Sequence, residues 1–282
     1  MSRLLSNSKS SFASGAPDKG GAACAPLRGE PLEGDGSGAA DTSAVIVRED
    51  NPKGFARHAQ LPSFPLTTMA LSDNFEAMNK DEVKSIYSKY SSVYDKVFGH
   101  FFSPRIRMAL DRSLIADGDK VVEVGVGTGI SLTSYSRGCQ VVGIDLTRKM
   151  LEQARRKKDL HKLDHVELFE MDAENMTFGD DTFDHAVAAF VITVVPNPEK
   201  MVSEMKRVTK KGGSIVILNH FCSDNSLISS MEKVFSPLCE KWGWRSDISL
   251  DLLSNHCNLH IKEVFKKRRL DPWSIIIATN NK

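Results

Sequence analysis

The run Val121-Val-Glu-Val-Gly-Val-Gly-Thr-Gly129 leads from apolar residues into a Gly-rich turn, and the next apolar stretch, Gln140 to Ile144, ends on the acid Asp145. A strand, a glycine turn and an acid at the following strand end form the nucleoside-binding half of an open α/β sheet. Glycine spacing separates the candidate ligands. A GxGxxG fingerprint would need its third glycine at position 130, which is Ile130, and no GxxxxGK[ST] run occurs. The pattern is GxGxG, with Glu123 two residues before Gly125. Asp145 follows Gly125 by 20 residues and can accept both hydroxyls of a ribose. An acid at that offset suits a dinucleotide equally, so Asp145 supports a nucleoside without choosing the cofactor. A third element, Met171-Asp172-Ala173, closes the apolar stretch from Val166 to Phe169.

These residues need a sheet to hold them. Residues 79–98 read as a helix with Tyr87, Tyr90 and Tyr94 on one face, and 102–115 as a second helix opened by Ser103-Pro104. Strands are expected at 120–125, 140–145, 166–170 and 183–191, with helices after Gly129, from Thr147 to Lys158 and from Pro198 to Val208. Gly212-Gly213 should end the last of these before a strand from Ser214 to Asn219. A helix at 226–241 and strands at 260–266 and 273–279 complete the pattern. The alternation specifies an α/β fold with a mostly parallel sheet and helices on both faces.

The chain has 282 residues, 41% of them hydrophobic and 26% charged, and a net charge of +1 gives no global reason to bind nucleic acid. Five scattered cysteines form no CxxC pair and eight histidines show no ligand spacing, so a reducing, cytoplasmic setting and no metal are expected. The longest strongly apolar run, Ala186 to Val195, falls well short of the roughly 20 residues that cross a bilayer. Up to about Asp41 the chain is rich in Ser, Gly, Ala and Pro, which reads as a disordered tail. Arg3, Lys9 and many serines precede the first acid, Asp18. That suits organellar targeting through a transit peptide, a plain disordered tail, or a start codon placed too far upstream of Met69 or Met78.

The GxGxG wording resembles motif I of the class I S-adenosylmethionine (SAM) methyltransferases, whose cofactor has no pyrophosphate to cradle. Further motifs are Tyr90-Ser-Ser-Val-Tyr94-Asp95-Lys-Val-Phe98, Phe183-Asp184, Val195-Pro-Asn-Pro198 and Leu218-Asn-His220. Trp242-Gly-Trp-Arg245 and Lys266-Lys-Arg-Arg269 follow later. Taken together they resemble the soluble bacterial phosphatidylethanolamine N-methyltransferases over residues 80 to 280. Leu270-Asp-Pro-Trp273 departs from the Pro-Pro-Gly-type segment common there.

The resemblance implies a Rossmann-like seven-stranded sheet, normally with one antiparallel edge strand, and three regions. Residues 1–77 would be the disordered tail, 78–118 N-terminal helices covering the active site, and 119–282 the methyltransferase domain. It implies SAM contacts from Tyr90, Glu123, Gly125, Gly127, Thr128, Gly129, Asp145, Leu146, Asp172, Ala173 and Phe190, with S-adenosylhomocysteine as product. Catalytic work falls to His220 and Tyr94, and the substrate would meet Tyr94, His220, Arg268 and Arg269. His220 reads either as a base for the amine or as a positioning or core histidine. The implied partner is a phospholipid at a membrane surface, reached peripherally through the aromatic and basic residues between Lys96 and Arg107 and through Lys266 to Arg269. A quinone-precursor or other small-molecule C- or O-methyltransferase would use the same cofactor half. A non-catalytic SAM-fold interaction protein is the third reading.

Overall fold

The structure is a computed structural model that describes residues 44–49, 57–60, 79–91, 95, 99–220, 248–268, 271 and 273–282. The expected helix at 226–241, Trp242 to Arg245, Tyr94, Arg269 and the first 43 residues lie outside the described residues.

Among the described residues, nine strands form one sheet: β1 (Ala44–Glu49), β2 (Arg57–Gln60), β3 (Lys120–Val124), β4 (Gln140–Asp145), β5 (Val166–Glu170), β6 (Phe183–Ala189), β7 (Thr209–His220), β8 (His260–Lys266) and β9 (Trp273–Thr279). Their spatial order is β2-β1-β8-β9-β7-β6-β3-β4-β5. The strands β3, β4, β5, β6 and β7 run parallel, as continuous apolar strands with covered faces must. β9 is antiparallel to both β7 and β8 and lies inside the sheet, not at its edge as expected.

Two strands correct the reading of residues 1–77 as a tail. β1 lies parallel to β8, matching Ile46 to Glu263 and Val47 to Val264, and β2 pairs antiparallel with β1. The short apolar run Ala44-Val-Ile-Val47 gains its partner from a strand over 200 residues later, which no local composition reveals.

Among the described residues, four α-helices flank the sheet: α1 (Lys80–Tyr90), α2 (His100–Arg112), α3 (Arg148–Leu160) and α4 (Pro198–Val208). A capping box opens α1: Asn79 Oδ1 accepts from the amides of Asp81 and Glu82 at 3.0 Å, and Glu82 Oε2 accepts from the Asn79 amide at 2.9 Å. α2 begins at His100, before the expected Ser103-Pro104, and carries Pro104 as its fifth residue, inside the helix, at the loss of one intrahelical amide bond. Its residues Phe102, Ile106, Ala109 and Leu110 are buried at helical spacing. α4 is opened by Asn197, whose Oδ1 accepts from Lys200 N at 2.8 Å, with Pro198 at the first helical position.

The helix expected after Gly129 is only a 3-10 turn, Leu132–Ser134. The stretch 130–139 is too short and too rich in Ser and Thr, which compete for backbone bonds, to sustain an α-helix. Gly212-Gly213 does not end α4 either; the helix stops at Val208 and both glycines lie within β7. Two apolar layers hold the sheet. One packs Met201, Val202 and Met205 of α4 on Ile215, Ile217 and Ile276, and the other packs Phe102 and Ile106 of α2 with Leu151 of α3 on Val216, Leu218 and Ile275.

Candidate active site

The carboxyl ends of β3, β4, β5 and β6 converge on one cleft that opens to solvent. At its floor, Gly125 follows β3 with φ of +71°, and a Cβ there would lie 2.5 Å from a Val191 methyl. A side chain is therefore excluded twice, by conformation and by space. The Gly125 and Val126 amides both donate to Ile144 O, at 2.8 and 2.9 Å, so β4 holds the loop rigidly.

Asp145 ends β4. Its Oδ2 accepts from Gly127 N at 2.9 Å and its Oδ1 from Thr147 N at 2.7 Å. Burial pushes its carboxyl up to about 6, and those two amides oppose the rise. An acid fixed by backbone at a strand end retains lone pairs for two ribose hydroxyls.

The other expected cofactor residues divide into two groups. Leu146, Asp172, Ala173 and Phe190 line the cleft beside Gly125, Gly127 and Asp145. Glu123, Thr128 and Gly129 are not among its lining residues. Glu123 is buried and accepts from Ser131 Oγ at 2.8 Å; burial raises its carboxyl to about 7, and the Ser131 hydroxyl opposes that. Thr128 donates to Asp95 Oδ1 at 2.5 Å, and Lys157 Nζ lies 2.6 Å from Asp95 Oδ2. At Gly129 an added Cβ would meet Leu132 and Ala154, so this glycine admits the packing of α3. Tyr90 ends α1, and its side chain lies outside the described residues.

α1 roofs the cleft. Lys80, Val83 and Tyr87 of α1 line the cleft, at helical spacing. Tyr87 belongs to the tyrosine face noted in the sequence, but nothing there marks Lys80. Its ammonium lies 2.6 Å from Asp172 Oδ2 and 2.9 Å from Glu174 Oε2. Burial alone would raise the Asp172 carboxyl, but the Lys80 ammonium outweighs it and holds the carboxyl below its ordinary range. The same pairing, with Asp172 and then Glu174, holds the lysine above its own.

Next to the cleft stands an aromatic wall. Phe190 takes a left-handed φ of +59° just after β6 and stacks on Phe102 with ring centroids 4.0 Å apart. Trp273, at the start of β9, meets Phe190 edge-on at 5.0 Å and His220 at 5.9 Å. His220 is half-buried at the end of β7, opposite Trp273 in register, and lies on this wall instead of lining the cofactor cleft. Arg268 is exposed on the β8–β9 connection and is not among the cleft-lining residues.

The glycine floor without room for a side chain, the clamped Asp145 and the order of the parallel strands fit a nucleoside cofactor that brings no pyrophosphate. The family described as a methyltransferase domain matches residues 122–217. Over 188 residues the chain is 42% identical to the phosphatidylethanolamine N-methyltransferase of Cereibacter sphaeroides, covering 66% of this chain and 91% of that one. A ubiquinone/menaquinone biosynthesis C-methyltransferase of Pseudomonas syringae is 29% identical, over 66% of this chain and 77% of its own. Among solved structures, the geranyl diphosphate C-methyltransferase of Streptomyces coelicolor, in complex with S-adenosyl-L-homocysteine, superposes with a TM-score of 0.57 at 13% identity, over 71% and 97% of the two chains.

The fold and site are those of a class I SAM-dependent methyltransferase. Within that class, the chain belongs to the family of the Cereibacter sphaeroides protein.

SAM supplies a methyl group activated on a sulfonium. Gly125, Gly127 and Asp145 would hold its nucleoside, with Leu146, Asp172 and Ala173 around the base. The chain's main contribution is then alignment of the acceptor with the methyl and exclusion of water.

Proposed function

We propose that this enzyme methylates the amine of phosphatidylethanolamine and its methylated intermediates, towards phosphatidylcholine. The observation that carries the reading is the 42% identity across 91% of the Cereibacter sphaeroides phosphatidylethanolamine N-methyltransferase. The aromatic wall supports it. Phe190 and Trp273 offer ring faces suited to an ammonium that gains methyl groups, each contact contributing about 0.5–2 kcal/mol.

The amine must lose a proton before it can attack. With lysine as a stand-in at pKa about 10.4, the neutral form at pH 7 costs roughly 4–5 kcal/mol. Desolvation against the wall lowers that cost. In this reading His220, held against Trp273, orients the amine or takes its proton.

A lipid acceptor also requires contact with a bilayer surface. No helix among the described residues is long and apolar enough to cross a membrane. Phe101 is 48% exposed on α2, with the Arg105 guanidinium 4.3 Å from its ring centroid, an arrangement that suits an interface. Lys267 and Arg268 are exposed on the β8–β9 connection. Replacing both by alanine should weaken sedimentation with anionic vesicles by roughly 30-fold, at about 1 kcal/mol for each basic residue. Unchanged sedimentation would move the contact to the face around Phe101.

The deciding experiment offers labelled SAM with separate vesicles of phosphatidylethanolamine and its monomethyl form, and with a quinol in parallel. Label in mono-, di- or trimethylated lipid is the expected result. Label confined to the quinol would reverse the acceptor assignment and favour the relation to the Pseudomonas syringae C-methyltransferase.

A further inference from the structure

Two ion-pair clasps join the N-terminal segment to the loops that carry the cofactor residues. At the start of α1, Lys80 Nζ reaches Asp172 Oδ2 at 2.6 Å and Glu174 Oε2 at 2.9 Å. Asp172 Oδ1 accepts from Glu174 N at 2.9 Å, and Glu174 Oε1 from Asn197 N at 2.8 Å, so the clasp is anchored to the entry of α4. Beyond α1, Asp95 accepts from Thr128 of the glycine loop and pairs with Lys157 of α3 at 2.6 Å. Between the clasps, Val83 and Tyr87 face the cleft from above. A cofactor bound beneath α1 cannot leave by that side unless α1 lifts, and lifting it breaks the Lys80 clasp.

We infer that Lys80 is a positioning residue: its ion pair with Asp172 and Glu174 holds α1 over bound SAM and sets how long SAM and S-adenosylhomocysteine stay bound. Asp172 is shared by this clasp and by the base-binding end of the cleft, so closing the roof and fixing the adenine acid are one event. Each carboxylate oxygen keeps a further lone pair for the cofactor while paired. The Lys80 side chain is 40% exposed, so the clasp weakens as salt screens it. Release of product through an opening roof is a step that limits turnover in many enzymes.

The test measures dissociation of labelled SAM from the full chain, chased with excess S-adenosylhomocysteine, at low and high ionic strength. It needs no lipid, so it reads independently of the acceptor assignment. Lys80→Met should release SAM about three- to tenfold faster at low salt and lose most of the salt dependence that the wild type shows. Lys80→Arg should restore slow, salt-sensitive release, since it keeps the charge and the reach. Asp95→Asn should shift release in the same direction through the second clasp. A wild-type rate for Lys80→Met would overturn the inference. So would an Lys80→Arg variant as fast as Lys80→Met, which would mark a packing role. Should Lys80→Met fail to fold, a wild-type release rate that does not change with salt would overturn it equally.

Discussion

Gly125→Ala should reduce SAM affinity by at least 100-fold. The backbone there sits at φ +71°, which costs a residue with a side chain about 1–2 kcal/mol. The new Cβ would also lie 2.5 Å from Val191 Cγ2 and 2.7 Å from Val191 Cβ, too close for either to stay. Relief has two routes. Val191 can withdraw, which deforms a wall of the cleft, or the loop can pull off its two bonds to Ile144 O, which displaces the Gly127 amide from Asp145. Either route spoils the seat of the cofactor. Adding Val191→Ala should recover only part of the loss, because the Cβ contact and the φ penalty persist. Calorimetric titration with SAM checks this, and affinity within threefold of wild type would show that the cofactor sits elsewhere.

Asp145→Ala should weaken SAM by about 10- to 150-fold, from the loss of about 1.5–3 kcal/mol of hydrogen bonding to a charged acceptor. Its pH dependence is the sharper signature. The carboxyl is raised by burial to about 6, so in the free protein it takes up a proton as pH falls through that value. Ribose hydroxyls donate best to the ionised form. SAM affinity should therefore hold above pH 6 and fall below it, and Asp145→Asn should flatten that fall. The sign for stability is opposite. A raised carboxyl pKa means the folded state binds the proton more tightly than the unfolded one, so this group's stabilising contribution is complete below its ordinary range and is lost as pH rises through about 6. An unchanged dissociation constant for Asp145→Ala would exclude the ribose contact.

Local chemistry made part of this fold legible. The strands β4, β5, β8 and β9 and the helix α4 fall where apolar runs, Asn197-Pro198 and strand residues place them, because their signals lie within the elements themselves. Gly125, Gly127 and Asp145 were readable for the same reason: a tight turn and a strand-end acid are local demands. What escaped depended on distant partners. β1 falls within the 1–77 region read as a tail until β8 is beside it. Lys80 is one of many lysines until Asp172 and Glu174 are brought to it. Thr128 and Gly129 sit in the motif yet serve Asp95 and α3, since a loop of alternating residues turns only some of them towards the ligand. His220 was placed at the right strand end, but its contact with Trp273 is set by an antiparallel pairing that the spacing of residues does not announce.

The interior position of β9 governs how such a chain can fold. The parallel block from β7 to β5 and the group β8-β1-β2 are joined in the sheet only through β9, near the end of the chain. During synthesis the cofactor half can collapse early, while β7 presents an unpaired edge until residues 273–279 emerge. An open edge of apolar residues such as Ile215, Ile217 and Leu218 invites pairing with other nascent chains. Closing it requires contacts of very long sequence separation, which form slowly. Expression yield should therefore respond more to chaperone supply and temperature than ground-state packing would suggest, and truncation before Trp273 should send the chain to aggregates instead of a smaller soluble domain.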